Sequence, residues 1–188
     1  MTNFDPVELV LEHGPEGNLD TGKNCAVYQV GDRYVKLNDR LTEEDMDRFT
    51  GALDSAGISY PETFYEEVEV PVYGIGDVLV IEQSDVGLTE EYFLGAEEDE
   101  YVQDIRELGL KAAGNGIKLD FGLENLYPIG EEIGVVDIND PEAIWLEEDM
   151  ALHLMGSHLL NSIERLERTE NFHSPHLRQM AYSWKQSV

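Results

Sequence analysis

The 188-residue chain carries 40 acidic residues against 12 basic ones, a formal net charge of −28, beside an apolar share of 41%. That share is enough for a packed core and excludes wholesale disorder, while the lack of clustered Lys and Arg argues against direct binding to DNA or RNA phosphates. No apolar stretch approaches the roughly 20 residues that span a bilayer, Cys25 is the only cysteine, and MTNFDPVELV lacks the charged and apolar regions of a signal peptide, so a reducing, cytoplasmic setting without membrane attachment is expected.

Val7 to Glu12 reads as a strand or a short helix, and His13 to Gly22 as a loop punctuated by Gly14, Pro15, Gly17 and Gly22. Cys25 to Val30 and Arg33 to Leu37 are β-rich runs separated by Gly31-Asp32, which predicts a hairpin. In the second run Tyr34 and Lys36 alternate with Val35 and Leu37, the pattern of a half-buried strand. Thr42 is placed to cap a helix whose first turn holds Glu43, Glu44 and Asp45, where the helix dipole favours negative charge. Met46, Phe49 and Leu53 form its apolar stripe and Gly57 ends it. Phe64–Val72 and Val78–Glu82, split by a Gly-Ile-Gly-Asp turn, predict a second hairpin.

Ser84 to Gly87 is a connector. A brief helix at Glu90–Leu94 and a longer one from Glu98 to Ala113 follow, the latter with Tyr101, Ile105, Leu108 and Ala112 in one stripe. Ile117–Asp120, Asn125–Tyr127 and Ile133–Asp137 are short extended pieces, and helices are predicted from Glu147 to Arg168 and around His176–Trp184. The order gives an α+β chain in two lobes, 1–84 and 85–188, the first β-rich and the second mainly helical.

The stretch LDFGLENLYPIGEEIGVVDIND holds Asp120 and Asn125 five apart, then an apolar run ending at Asp137. Phosphoryl transfer needs a carboxylate to orient and deprotonate an acceptor hydroxyl, and oxygen ligands to hold Mg²⁺ on the nucleotide phosphates. A loop with Asp and Asn, followed by a hairpin delivering another Asp, supplies all three groups. This arrangement resembles the protein kinase and aminoglycoside phosphotransferase superfamily, whose catalytic loop reads D-x-x-x-x-N and whose metal-binding aspartate follows a short hairpin.

The resemblance implies a two-lobed kinase-like fold with a shortened helical second lobe, and ATP with Mg²⁺ as cofactors. It implies that Asp120 is the catalytic aspartate and that Asn125 and Asp137 are metal ligands. Lys36, in Tyr34-Val35-Lys36-Leu37, takes the role of the phosphate-binding lysine. Gly22 and Val27 match the glycine-rich nucleotide loop, and Glu82 and Ser84 fall where the hinge meets adenine, mostly through backbone groups. Asp149-Met150-Ala151 looks like the family's helix start after the metal aspartate. Lys118 stands where the family usually has His or Tyr, and the carboxylate that would pair with Lys36 is open among Glu43, Glu44, Asp45 and Asp47.

The reading is thus an ATP·Mg²⁺-dependent phosphotransferase acting on a hydroxyl of a small molecule or of a protein Ser/Thr. A different class is also consistent with the chain: a pseudokinase-like acidic interaction module without turnover, or a nucleic-acid mimic. The carboxylates are spread along the chain rather than gathered in a tail, which suits adaptation to concentrated salt. His153, His158, His173 and His176 read as surface or helix-end residues rather than a metal site, and Trp145 and Trp184 as packing residues, with Trp184 also open to a dimer contact.

Overall fold

The computed structural model describes residues 4–17, 19, 25–87, 89–129, 132–137, 143–170 and 172–188. The chain divides into two compact units, one formed by 1–48 and 61–85, the other by 49–60 and 86–188.

The first unit is built on a four-stranded antiparallel sheet, β1 (Cys25–Val30), β2 (Arg33–Asn38), β3 (Thr63–Val70) and β4 (Gly76–Ser84), in the order β1-β2-β4-β3. Both predicted hairpins form. Val30 pairs with Arg33 across Gly31-Asp32, with Gly31 at φ +63°, a conformation glycine adopts without penalty. Alternation along β2 buries Val35 and Leu37 and leaves Tyr34 and Lys36 half-buried on the opposite face.

Before the sheet, Val7–Glu12 is helical: α1 (Pro6–His13) starts at Asp5, whose carboxylate accepts the N–H of Val7 at 2.9 Å, with Pro6 in the first turn. Leu9 and Val10 join Tyr28, Val35, Leu37, Val70, Val78 and Val80 in one apolar core. The Tyr28 hydroxyl donates to the Gly14 carbonyl at 2.7 Å and so ties the end of α1 to the sheet.

Helix α2 (Glu43–Ala56) is opened by reciprocal bonds: Thr42 Oγ1 accepts the Asp45 N–H and the Asp45 carboxylate accepts the Thr42 N–H, each at 3.2 Å. Its stripe of Met46, Phe49 and Leu53 is buried.

The second unit holds α3 (Thr89–Gly95), α4 (Val102–Gly114), the hairpin β5 (Leu126–Ile129) and β6 (Glu132–Val135), α5 (Glu148–Thr169) and α6 (Pro175–Lys185). The helix expected from Glu98 is broken: Glu98–Glu100 is a short 3₁₀ turn, and Tyr101, at φ −130°, precedes α4. Tyr101 packs edge-on against Phe93 with centroids 5.2 Å apart. The stripe of α4 is buried as expected, and α5 buries Leu152, Met155, Leu159, Ile163 and Leu166 along one side.

Trp184 is buried, edge-on to Phe121. Trp145, expected to pack, is instead 81% exposed at φ +69°. Its buried neighbours Ala143 and Ile144 take the inward positions. The segment is also pinned by Lys118 N–H to Ala143 O at 2.6 Å and Leu146 N–H to Gly116 O at 3.0 Å, which leaves Trp145 turned to solvent. Among the described residues, no helix is long and apolar enough to cross a membrane.

Candidate active site

Each group of interest is placed by its own unit. In the sheet, Lys36 lies opposite Val27 on β1 and Ile81 on β4. Residues directly opposite in an antiparallel pair share a face, so Lys36 and Val27 are presented together. The segment through Gly17 and Leu19 bridges to Val27, and the Leu19 N–H donates to the Val27 carbonyl at 3.2 Å. Gly17 must be glycine here, because a Cβ would fall on the Val27 backbone.

Glu82 and Ser84 are not brought to that face. Glu82 is opposite Val35 and Ser84 opposite Arg33, on the other side of the sheet from Lys36. Glu82 is fully buried, 3.5 Å from the Arg33 guanidinium, and its strand is paired on both edges. Gly22 lies outside the described residues. Of the carboxylates considered for Lys36, Asp45 pairs with Arg48 at 2.9 Å, Asp47 accepts the Tyr65 hydroxyl at 2.6 Å, and Glu43 accepts the Glu67 N–H at 3.0 Å.

In the second unit, Asp120 and Asn125 meet, and the chain just before Asp137 is bonded to the Asn125 backbone. Leu119 and Phe121 are buried on either side of Asp120, which turns its side chain outward. A 3₁₀ turn, Leu123–Asn125, then brings Asn125 back to it. Asn125 donates a hydrogen bond to the Asp120 carboxylate, and its backbone carbonyl accepts the Val136 N–H at 2.8 Å. The Leu126–Val135 pair extends that ladder, so Asp137 leaves the hairpin beside Asn125. With Nδ2 given to Asp120, the Oδ1 of Asn125 is the atom that can meet a cation. An amide oxygen and a carboxylate are hard donors, the sparse set with which proteins hold Mg²⁺ while phosphates and water complete the shell.

The neighbour that sequence reasoning missed is His158. Its Nδ1 lies 3.0 Å from Asp120 Oδ1. The close approach of His158 is the main cause holding the Asp120 carboxyl below its ordinary range; partial burial opposes it, and Lys118 and Asn125 assist it. A signal was present: His158, Ser162 and Arg165 recur at helical spacing along one side of the apolar stripe of α5. All three reach the same loop. Ser162 Oγ accepts the Leu123 N–H at 3.0 Å and donates to Glu124 at 2.7 Å. Arg165 donates to Glu124 at 3.0 Å and pairs with Glu90 of α3.

The other histidines fit the surface reading: His153 meets the Lys185 carbonyl at 2.7 Å and His176 pairs with Glu98 at 3.0 Å. Asp149 lies in the first turn of α5 as expected.

No family model matches the chain, and no curated protein matches it. Among solved structures it is similar to WaaP in complex with acyl carrier protein, with a TM-score of 0.57 and 13% identity over 98% of this chain and 93% of that one. It also aligns with the Drosophila melanogaster PAN3 pseudokinase, with a TM-score of 0.43 and 13% identity over 82% of this chain and 52% of that one. The first likeness covers nearly all of both chains, and the fold is kinase-like: α+β, with an antiparallel sheet in the N-terminal lobe and a mainly helical C-terminal part.

Proposed function

We propose that the chain is an ATP·Mg²⁺-dependent phosphotransferase acting on a hydroxyl of a small molecule or of a protein Ser/Thr. The observation that carries the reading is the Asp120–Asn125 hydrogen bond on a loop whose backbone is paired beside Asp137. A carboxylate held below its ordinary range stays ionised at neutral pH, so Asp120 can orient an acceptor hydroxyl and take its proton, a role typically contributing about 10²–10⁴ in rate. Asn125 and Asp137 would hold the metal. Bound Mg²⁺ supplies neutralisation of the phosphate charge. Lys36 would receive phosphate oxygens beside Val27. Gly22, Glu82 and Ser84 complete the nucleotide set by resemblance alone, the last two mostly through backbone groups.

The test is a thermal shift with MgATP, joined to a turnover assay. MgATP at about 100 times its Kd should stabilise the chain by about 2.7 kcal/mol. Asp120→Asn should keep that shift and lose turnover by about 100-fold or more. Absence of any Mg²⁺-dependent shift would sink the enzyme reading. We read the charge of −28 as salt adaptation, so both assays belong in about 0.1 M and about 1 M KCl, where the Debye length falls from about 10 to about 3 Å.

MgATP binding without turnover would support the second reading, a pseudokinase-like acidic module for a partner. The WaaP structure similar to this chain contains acyl carrier protein, which makes a protein the first partner class to assay.

A further inference from the structure

Resting on that phosphotransferase reading, we infer that His158, carried on α5, holds the Asp120 carboxylate in its working orientation. The loop from Asp120 to Asn125 has little regular structure of its own, a single 3₁₀ turn. Its alignment is supplied from outside. His158, Ser162 and Arg165 are four and three residues apart, so they lie along one face of α5. They grip the loop in register: His158 at Asp120, Ser162 at the Leu123 N–H, and Ser162 with Arg165 at Glu124. Helix α5 is itself fixed by its buried stripe against the rest of its unit, so these tethers lead to a rigid support.

The His158–Asp120 contact has the marks of a positioning device rather than a stability device. Both side chains are partly exposed, at 37% and 46%, and charge pairs open to solvent contribute little to folding. Orientation is another matter, because a displacement of about 1 Å at a reacting group can cost about 100-fold in rate. Asp120 receives a side-chain hydrogen bond from Asn125, and His158 Nδ1 stands 3.0 Å from its Oδ1, with no hydrogen-bond partner of its own among the described residues. In the proposed reaction Asn125 also serves a metal, which leaves His158 as the contact devoted to Asp120. His158 does not touch the transferred group in this scheme; it acts through Asp120.

The experiment compares wild type, His158→Ala and His158→Asn in the full chain, with MgATP as the nucleotide and water as the phosphoryl acceptor. Asparagine is chosen because its Nδ2 falls near the place of the imidazole Nδ1 and keeps a donor beside the same carboxylate. The expected result is a fall in kcat of about 30-fold for His158→Ala with KM for ATP within about twofold. His158→Asn should recover about half of that loss on a logarithmic scale, and the melting midpoints should agree within about 2 °C. The inference is overturned if His158→Ala keeps kcat within twofold, if KM rises while kcat holds, or if the asparagine variant is no better than alanine. Wild type that binds no MgATP and hydrolyses none overturns the phosphotransferase reading itself, and this inference with it. Wild-type turnover that is indifferent to position 158 overturns the positioning role alone.

Discussion

The sheet unit and the helical unit place their chemistry by different physics. On β2, Lys36 faces away from the core because strand side chains alternate, and its immediate neighbours Val35 and Leu37 are buried in the apolar cluster. A local rule puts the ammonium where it is. In the helical unit Asp120 also alternates with buried neighbours, Leu119 and Phe121, but its side chain is placed by Asn125, by the ladder to Val136, and by His158, 38 residues along the chain. The first kind of site tolerates changes at a distance. The second depends on a helix that is far away in sequence and near in space.

Separable roles on one strand make the sharpest break in this comparison. Leu37→Ala should cost about 2–5 kcal/mol of unfolding free energy, the usual range for a buried leucine cut to alanine in a well-filled core. Lys36→Met keeps the aliphatic stem and should cost less than about 1 kcal/mol, while weakening MgATP binding. Urea denaturation of both variants decides it: equal losses at the two positions would mean that the alternation does not set their roles.

The same contrast governs what could be read from the sequence. Both sheet hairpins, the Thr42 cap and the stripes of α2, α4 and α5 follow from periodicity and turn chemistry, which act within a few residues. The approach of Asn125 to Asp120 was also legible, because a five-residue step brings them together locally, and the short hairpin returns the chain to the Asn125 backbone at Val136. Contacts spanning tens of residues were not. His158 reads as an ordinary helix-surface histidine until α5 is laid beside the loop. The start of α6 is held by Glu98, whose carboxylate accepts the Ser174 hydroxyl at 2.5 Å and the backbone N–H of His176 at 2.7 Å. Those bonds and the nearby His176 outweigh burial and keep Glu98 below its ordinary range. Trp145 was misread for a related reason: composition says that tryptophan packs, but the turn pinned at Lys118–Ala143 and Gly116–Leu146 decides which residue is spared to solvent.

A smaller effect probes the support that the helical unit needs. Gly156 lies where α5 and α6 touch: a Cβ there would meet the Ala181 carbonyl at 2.7 Å and the Lys185 nitrogen and Trp184 Cβ at 2.8 Å. These are mostly backbone or Cβ atoms, which cannot rotate aside, so the helices must part. Helix propensity favours alanine over glycine by about 1 kcal/mol, and overpacking costs about 1–3 kcal/mol. Gly156→Ala should therefore destabilise by a net of up to about 2 kcal/mol in urea denaturation. A gain in stability would show that the two helices can adjust cheaply, and that α5 is a softer platform than the tethers on it require.

The smallest effect has the opposite sign and tests the hairpin that carries Asp137. The Tyr127 ring lies across from Gly134, whose missing Cβ leaves room for it: a Cβ would come within 2.8 Å of Tyr127 Cε1. The ring is well used, but the hydroxyl is buried and has no hydrogen-bond partner among the described residues. Burial pushes its pKa up to about 12. Tyr127→Phe keeps the ring over Gly134 and removes the unsatisfied group, so it should stabilise by about 1 kcal/mol at neutral pH. Above pH 10 the gap should widen. The unfolded chain then releases the phenolic proton while the folded chain retains it, so the wild type loses stability as pH rises towards 12, on the order of 2 kcal/mol in all. The phenylalanine variant lacks that contribution, although Tyr28, Tyr34 and Tyr101, also raised by burial, leave a residual slope in both proteins. Urea midpoints at pH 8 and pH 10.5 measure the gap; a difference that stays constant between the two would mean that the Tyr127 hydroxyl finds water or a partner, and that the hairpin holding Asp137 is wetter than its packing implies.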